Sequence, residues 1–391
     1  MKLGKLCILF TDGDWIESKD QSDSGIRLIQ TGNIGNGEFL YKNDKAKYIS
    51  VDTFKRLNCK EVFPNDILVS RLPEPVGRGC IIPDIGEKMI TAVDCTICRI
   101  NENLVDRKYF CYFLESNAYK TQLEQHVTGT TRKRISRKNF SSVEIDIPEQ
   151  AKQKEVVYKL DRLKKIIQNY NRELDLLDEL VRARFVEMFG DPVTNDMLWN
   201  TDVLKDICTK IGSGSTPRGG KESYIDEGIS LIRSMNVHNA YFEYKDLAHI
   251  TLDQAEKLNN VVVEHDDLLF NITGASVARC CVVPSDVLPA RVNQHVCILR
   301  CREKINPIFL QGLLVNENYQ GKLLQIAKSG ATREAINKQQ LESLEIMIPP
   351  LELQNQFASF VEEIDKSRSR IQKSLEASQE LFDSLMQEYF S

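Results

Sequence analysis

Two stretches of the chain carry apolar residues at alternating spacings of four and three. Val156, Leu160, Leu163, Ile167, Tyr170, Leu174, Leu177 and Val181 keep this rhythm in the first. Phe357, Val361, Ile364, Ile371, Leu375, Phe382, Leu385 and Tyr389 keep it in the second, interrupted at Arg368 and Ser378. That spacing is the seam of a coiled coil, and at 1.5 Å per residue each run of roughly 40 residues predicts a rod about 60 Å long. Neither rod has a partner in the chain except the other.

Ahead of each rod the pattern changes. Short apolar, β-branched runs such as Ile26 to Ile29, Asp66 to Ser70 and Thr96 to Ile100 read as strands separated by Gly, Pro, Asn and Asp turn signals. Residues 107–126 and 307–327 then place Phe110, Phe113 and Leu123, or Leu310, Leu313 and Leu324, at helical spacing, which predicts one helix in each stretch. A strand-like V-E-I-D-I-P or L-E-I-M-I-P follows, and its proline ends the strand just before the rod begins.

The order of elements occurs twice because the sequence does. Residues 128–148, TGTTRKRISRKNFSSVEIDIP, align without gaps to 329–349, SGATREAINKQQLESLEIMIP, at an offset of 201. The same offset carries Cys7 onto Cys208, Asp66 onto Asp267, Pro83 onto Pro284, Gly129 onto Gly330, Arg132 onto Arg333 and Phe189 onto Phe390. IRLIQTGNI at 26–34 matches ISLIRSMNV at 229–237 after a two-residue insertion. An α+β fold follows: globular modules over 1–148 and 191–349, each trailed by a helical region, over 149–190 and 350–391. If the first helix leaves one module for the other, the second must return antiparallel to it, so the arrangement is pseudo-twofold and pseudo-cyclic, with residue 391 near residue 1.

Composition narrows the class. A hydrophobic fraction of 42% fits a globular chain, and no apolar run approaches the roughly 20 residues that a membrane span needs. The amino-terminal apolar stretch is broken at once by Asp12 and Asp14, so no secretory signal is expected and the protein is placed in the cytoplasm. Eleven cysteines, odd in number and without a framework, suit a reducing compartment. Cys95 and Cys98 form a CxxC, but within an apolar run that reads as a buried strand, and no metal site is expected.

The formal net charge of −5 argues against a uniformly basic DNA-binding surface. Locally the picture reverses, since residues 130–138 carry five positive charges and no acid, and such a patch grips phosphates even on an acidic protein. Thr130, Thr131, Arg132, Lys133 and Arg134 in this loop, with Thr332 and Arg333 in its repeat, are the leading candidates. Hydroxyls and backbone suit phosphate, and arginine suits a guanine edge. Ser70 and Arg71, or Asn271 and Thr273, emerge from strand ends. Arg27, Gln30 and Asn33, or Arg233, Ser234 and Asn236, follow the earlier repeat strand, and Asn293 and Gln294 are of the same type, because Asn and Gln can pair with both edge groups of adenine. The alternative for each is a turn or cap residue.

The loop GSGSTPRGGK at 212–221 fails the phosphate-loop pattern, because Gly220 stands where the lysine should be. Arg218 and Lys221 remain candidates for backbone contact. The five histidines form no HExxH pair and meet no nucleophile, and no catalytic constellation emerges. The residues therefore favour a DNA-reading adaptor, with a coiled-coil scaffold without sequence-specific binding as the alternative.

Several segments together carry a family resemblance: the loops TGTTRKRIS and SGATREAIN, DILVSR and DLLFNITG, GSGSTPRGGKESYIDEGISLIRS, VNQH, the helix openings IPEQAKQKEV and IPPLELQNQF, and the helix exit FVEMFGDPVTN. In order and in duplicate, they make the chain resemble the specificity subunit of type I restriction-modification systems over essentially its full length. The resemblance implies two target-recognition domains that bind a split, asymmetric site on double-stranded DNA. It also implies two methyltransferase subunits recruited through the helical regions, with endonuclease/translocase subunits in the cutting form. S-adenosylmethionine and the methylating residues are then expected on the methyltransferase, and no cofactor on this chain. IPEQAKQKEV is more polar than IPPLELQNQF, so the two methyltransferase contacts are expected to be unequal.

Overall fold

The computed structural model describes residues 1–129, 133–217, 219–328 and 334–391. The chain divides into two compact units, one of Met1–Asn171 with Lys373–Ser391 and one of Arg172–Gln372, so each long helix contributes to both.

In the first unit the strand alternation builds two cores back to back. Strands Cys7–Asp12, Cys95–Ile100, Ile67–Ser70 and Gly79–Ile81 lie side by side in that order, antiparallel throughout. Successive side chains on a strand point to opposite faces. Ile67, Val69, Cys98 and Ile100 therefore face a core shared with helices, while Leu68, Cys80, Cys95 and Ile97 face a core shared with a second sheet. That second sheet orders Gln21–Ser22, Tyr48–Ile49, Ile26–Ile29, Met89–Thr91 and Glu61–Val62, with Ile26–Ile29 and Met89–Thr91 parallel. The CxxC is thereby explained: Cys95 and Cys98 sit on opposite faces of one strand and cannot converge on an ion. Burial pushes the Cys95 thiol up to about 12.

The second unit repeats the plan. Cys208–Ser213, Val296–Cys301, Leu268–Asn271 and Cys280–Val282 form the matching sheet, and Ala248–Ile250, Ile229–Ile232, Ala290–Val292 and Val262–Val263 the other, again with a central parallel pair. Leu268, Phe270, Cys297 and Leu299 face the helices, and Leu269, Val296 and Ile298 face the second sheet. The offset of the repeat holds in detail. Asp66 takes Arg99 through Nε and Nη2 at 2.8 Å each, and Asp267 takes Arg300 at 2.8 and 2.9 Å. Buried Gln153 accepts from Asp106 N at 2.7 Å and donates to Pro148 O at 2.8 Å; buried Gln354 accepts from Asn306 N and donates to Pro349 O, both at 2.8 Å. Each glutamine fastens the start of a long helix to its own unit.

The single helix expected over 107–126 is two, Arg107–Glu115 and Asn117–Glu124, and that over 307–327 is Pro307–Val315 and Glu317–Lys328. The break has a local cause. The Ser116 hydroxyl accepts from Tyr119 N at 3.2 Å and starts a new helix, and Asn316 does the same for Asn318 N at 3.0 Å, as N-cap residues do. The closing strand also differs: Glu345–Met347 pairs with Thr201–Val203, whereas among the described residues of the first unit the counterpart is the isolated bridge Lys2 to Glu144.

The long helices run Gln150–Phe189 and Leu351–Phe390. In the first unit Val156 and Leu160, from the start of one, share a core with Met386 and Phe390, from the end of the other, and with Leu3 and Leu6. In the second unit Phe185 and Phe189 share a core with Phe357 and Val361. The helices are therefore antiparallel. Phe390 packs on Tyr109 with ring centres 4.9 Å apart, and Phe189 packs on Phe309 at 4.8 Å. Between these ends Leu163, Ile167, Leu174 and Leu177 are only half-buried, as a two-stranded seam allows. Arg368, which interrupts the seam, pairs with Asp178. No helix among the described residues is long and apolar enough to cross a membrane.

Candidate nucleic-acid interface

In each unit the loops at one end of the helix-facing sheet gather at one corner. In the first, Thr128 and Arg134 bond backbone to backbone, N to O at 2.9 Å in both directions, and pinch off the intervening loop. Ile135 N donates to Arg71 O at 3.3 Å, fixing the pinch to the end of the strand Ile67–Ser70. Lys133 and Arg134 are exposed. Arg134 reaches Asp94 at 2.8 Å, and Arg137, also exposed, donates to Thr11 Oγ1 at 3.4 Å.

Arg71 lies beneath them, 5% exposed. Its guanidinium donates to Val93 O at 2.6 Å and lies 3.3 Å from Asp12. Burial pulls it below its ordinary value, opposed by the Asp12 charge. Arg71 thus ties the loops around Asp12, Val93 and Ile135 together from below, instead of pointing into a groove. Ser70 is fully buried and donates to Leu72 O at 3.1 Å.

Among the described residues, the same corner of the second unit holds one ion pair, Lys328 with Glu334 at 3.9 Å, in place of that network. Gly274 N donates to Glu334 O and Ile336 N to Ile272 O, both at 2.9 Å, which seats the chain after residue 333 on the strand end. A hydrogen-bond chain then runs across the surface. The Thr216 hydroxyl donates to Gln294 Oε1, Gln294 Nε2 lies 3.1 Å from His295 Nε2, and His295 Nδ1 lies 2.6 Å from Thr273 Oγ1. Gln294 is exposed and Thr273 half-buried. Buried Asn293 serves this arrangement by accepting from His295 N at 3.0 Å.

The other candidates divide by burial. Arg27 is buried and gives Nη2 to Tyr41 O at 2.9 Å and Nη1 to Tyr48 Oη at 3.2 Å. Asn33 accepts from Gln30 N at 3.0 Å and donates to Leu40 O at 3.0 Å. Asn236 repeats this, accepting from Arg233 N at 3.1 Å and donating to Glu243 O at 2.9 Å. These side chains, expected at base edges, hold a hairpin shut, and Gln30 and Arg233 supply the turn that they close. The Arg233 guanidinium meets Asp246 O and lies over Tyr224. Asn271 is fully buried and donates to Ser234 O at 2.9 Å, so it too binds its own backbone. Thr130, Thr131, Arg132, Arg218, Thr332 and Arg333 lie outside the described residues, as does the side chain of Lys221 in the turn Gly220–Ser223.

The family described as "Type I restriction modification DNA specificity domain" matches residues 1–178 and again 197–379. The chain belongs to this family. It is 24% identical over 380 residues to a putative type I restriction enzyme MjaX specificity subunit of Methanocaldococcus jannaschii, covering 90% of this chain and 82% of that one. It is 20% identical over 378 residues to the EcoKI specificity subunit of Escherichia coli, covering 90% and 78%. Its fold is that of the type I S subunit from M. genitalium, with a TM-score of 0.60 at 14% identity over 100% of this chain and 95% of that one.

Two features of this specificity-subunit chain escaped the reading of its sequence. Arg78 donates to Ile34 O at 2.7 Å, Thr31 O at 2.8 Å and Pro75 O at 2.9 Å, and so joins the hairpin turn to the loop after Ser70. Its partners are backbone carbonyls, which leave no trace in a sequence. The second feature is an aromatic pair on each hairpin, Phe39 with Tyr41 and Phe242 with Tyr244, at 5.1 and 5.2 Å and nearly perpendicular. Both tyrosines are exposed. Their signal was legible, since FLY and FEY recur at the spacing of IRLIQTGNI and ISLIRSMNV.

Proposed function

We propose that this chain is the sequence-reading subunit of a type I restriction-modification complex, each unit reading one half of a bipartite, asymmetric site on double-stranded DNA. The observation that carries the reading is that one loop corner occurs twice on one scaffold with unlike chemistry: ionic around Arg134 and Asp94, neutral around Gln294 and Thr273. Arginine favours guanine edges and phosphates, whereas a carboxamide favours adenine. Unlike half-sites follow from unlike corners.

On this reading the long helices hold the two readers and dock two methyltransferase subunits, with endonuclease/translocase subunits joining in the cutting form. Adenine methylation and S-adenosylmethionine belong to the methyltransferase, and this chain supplies address rather than chemistry. The test is selection from a random duplex pool by the full chain with its methyltransferase, or mapping of methylated bases in cells that carry the system. The expected motif has two unlike halves separated by an unspecified spacer. A single continuous motif, or no enrichment, overturns the proposal.

A further inference from the structure

The two units carry their positive charge in different places. In the first, the loop and the helix behind it concentrate Lys133, Arg134, Arg137 and Lys138. In the second, the positions equivalent to Lys133 and Arg134 are Glu334 and Ala335, and Glu334 lies 3.9 Å from Lys328. Residues 331–339 thus carry two positive charges, Arg333 and Lys338, against one acid, Glu334, where 130–138 carry five and none.

An open groove of about 490 Å³ in the second unit runs beside the edge strand Cys208–Ser213, between the short helices Leu204–Ile207 and Lys338–Glu342. Lys205, Lys210, Arg302 and Lys338 line it, and Glu342 is its carboxylate. Glu342 is engaged by Lys338 at 3.6 Å. Among the described residues no ion pair involves Lys205, Lys210 or Arg302. Lys338 opens the helix that begins three residues after Ala335, the bridge partner of Thr273, which brings the groove close to the reading corner along the chain. At the equivalent positions Gly4, Leu9 and Asn101 the first unit carries no charge.

We infer that Lys205, Lys210 and Arg302, with Lys338 at its mouth, form a phosphate track for the DNA backbone that is specific to the second unit and replaces there the basic loop of the first. This deepens the proposed function and rests on it. Ammonium and guanidinium groups along an open groove match consecutive phosphates, which position a duplex without reading it. Each phosphate neutralised releases counterions and contributes about −0.9 to the slope of log affinity against log salt concentration.

The experiment uses the full chain and a 40-base-pair duplex of random sequence, titrated at several salt concentrations. The variant Lys205→Gln/Lys210→Gln/Arg302→Gln should make the slope shallower by about 2 to 3, with an unchanged melting temperature and an unchanged motif in random-pool selection. The control Lys154→Gln/Lys165→Gln/Lys366→Gln removes as much charge from exposed positions on the long helices and should leave the slope within about 0.5 of the parent. Should the triple variant melt early, the single variants take its place, each expected to shift the slope by about 1. An unchanged slope in the groove variant, or an equal shift in the control, overturns the track while leaving the proposed function standing. A parent chain with no salt-dependent duplex binding overturns both.

Discussion

The loop corner of the first unit and that of the second share a scaffold but differ in the polar groups that their described residues set upon it. Both seat the loop on the end of a central strand, both close a hairpin with a buried asparagine, and both brace the sheet with an Asp–Arg pair. Above that frame one corner is a network of Asp12, Arg71, Asp94 and Arg134, and the other a chain of Thr216, Gln294, His295 and Thr273. Positions in which the two copies differ are where unlike recognition can reside.

The frame can be broken most severely at Gly13 and its equivalent Gly214, where the chain crosses from one sheet toward the other. A Cβ at 214 would stand 1.8 Å from Val292 O, and one at 13 would stand 2.3 Å from Thr91 O and 2.4 Å from Ala92 O. Backbone on both sides cannot yield as a side chain would. Gly214→Ala should cost at least about 3 kcal/mol and Gly13→Ala somewhat less. Hydrogen exchange in each unit under denaturant would show whether the loss is confined to the unit that carries the change. Native-like protection in Gly214→Ala would mean that the close approach is not rigid.

Next in size are the braces. Asp66 and Asp267 are buried and each accepts two bonds from an arginine that is less than a third exposed. Removing one partner of such a pair strands the other, at about 3 to 5 kcal/mol when burial is complete. Partial exposure of the arginine reduces this to about 2 to 3. Arg300 retains Glu264 as a second carboxylate, whereas no second carboxylate pairs with Arg99 among the described residues. Asp66→Ala should therefore destabilise its unit more than Asp267→Ala does. Equal losses in denaturant titrations would show that Glu264 contributes nothing.

Above the frame, Lys133→Gln/Arg134→Gln should change stability by less than about 0.5 kcal/mol, because both substituted side chains are exposed and the half-buried Asp94 keeps access to water. Its effect belongs to binding. Affinity for a selected duplex should fall about tenfold, roughly 1.4 kcal/mol, and base preference should relax in one half-site only. Relaxation in both halves would break the assignment of one unit to each half.

How much of this the sequence disclosed depends on the range of the interaction. The repeat, the seam and the strands Ile26–Ile29 and Cys95–Ile100 were legible because hydrophobic period is a local signal, and so was the antiparallel return of the second helix, which the repeat requires. The helix break at Ser116 was legible in principle, as a hydroxyl that caps the next turn, but the apolar period runs through it. Which polar residues face inward was not legible: Arg27 and Arg71 spend their guanidinium groups on carbonyls of distant loops. Asn33 and Asn236 did leave a trace, an asparagine three residues after Gln30 or Arg233 in both copies, which is the spacing of a capping box.

The finest difference between the corners rests on one hydroxyl. Gln294 Oε1 receives the Thr216 proton, so its amide nitrogen must donate toward His295 Nε2, which then acts as acceptor. With Nε2 accepting, Nδ1 is the ring's donor and gives its proton to Thr273 Oγ1 at 2.6 Å. Among the described residues no group accepts the Thr273 proton, at the strand end that bridges to Ala335. Thr273→Val keeps the shape and removes both the acceptor and the hydroxyl donor. The stability loss should be about 1 kcal/mol. A half-buried position that ends a neutral chain should nonetheless relax base preference in the second half-site and leave the first untouched. If Thr273→Val leaves the selected motif unaltered in both halves, this chain of bonds only braces the loop, and the second corner must read its bases through Gln294.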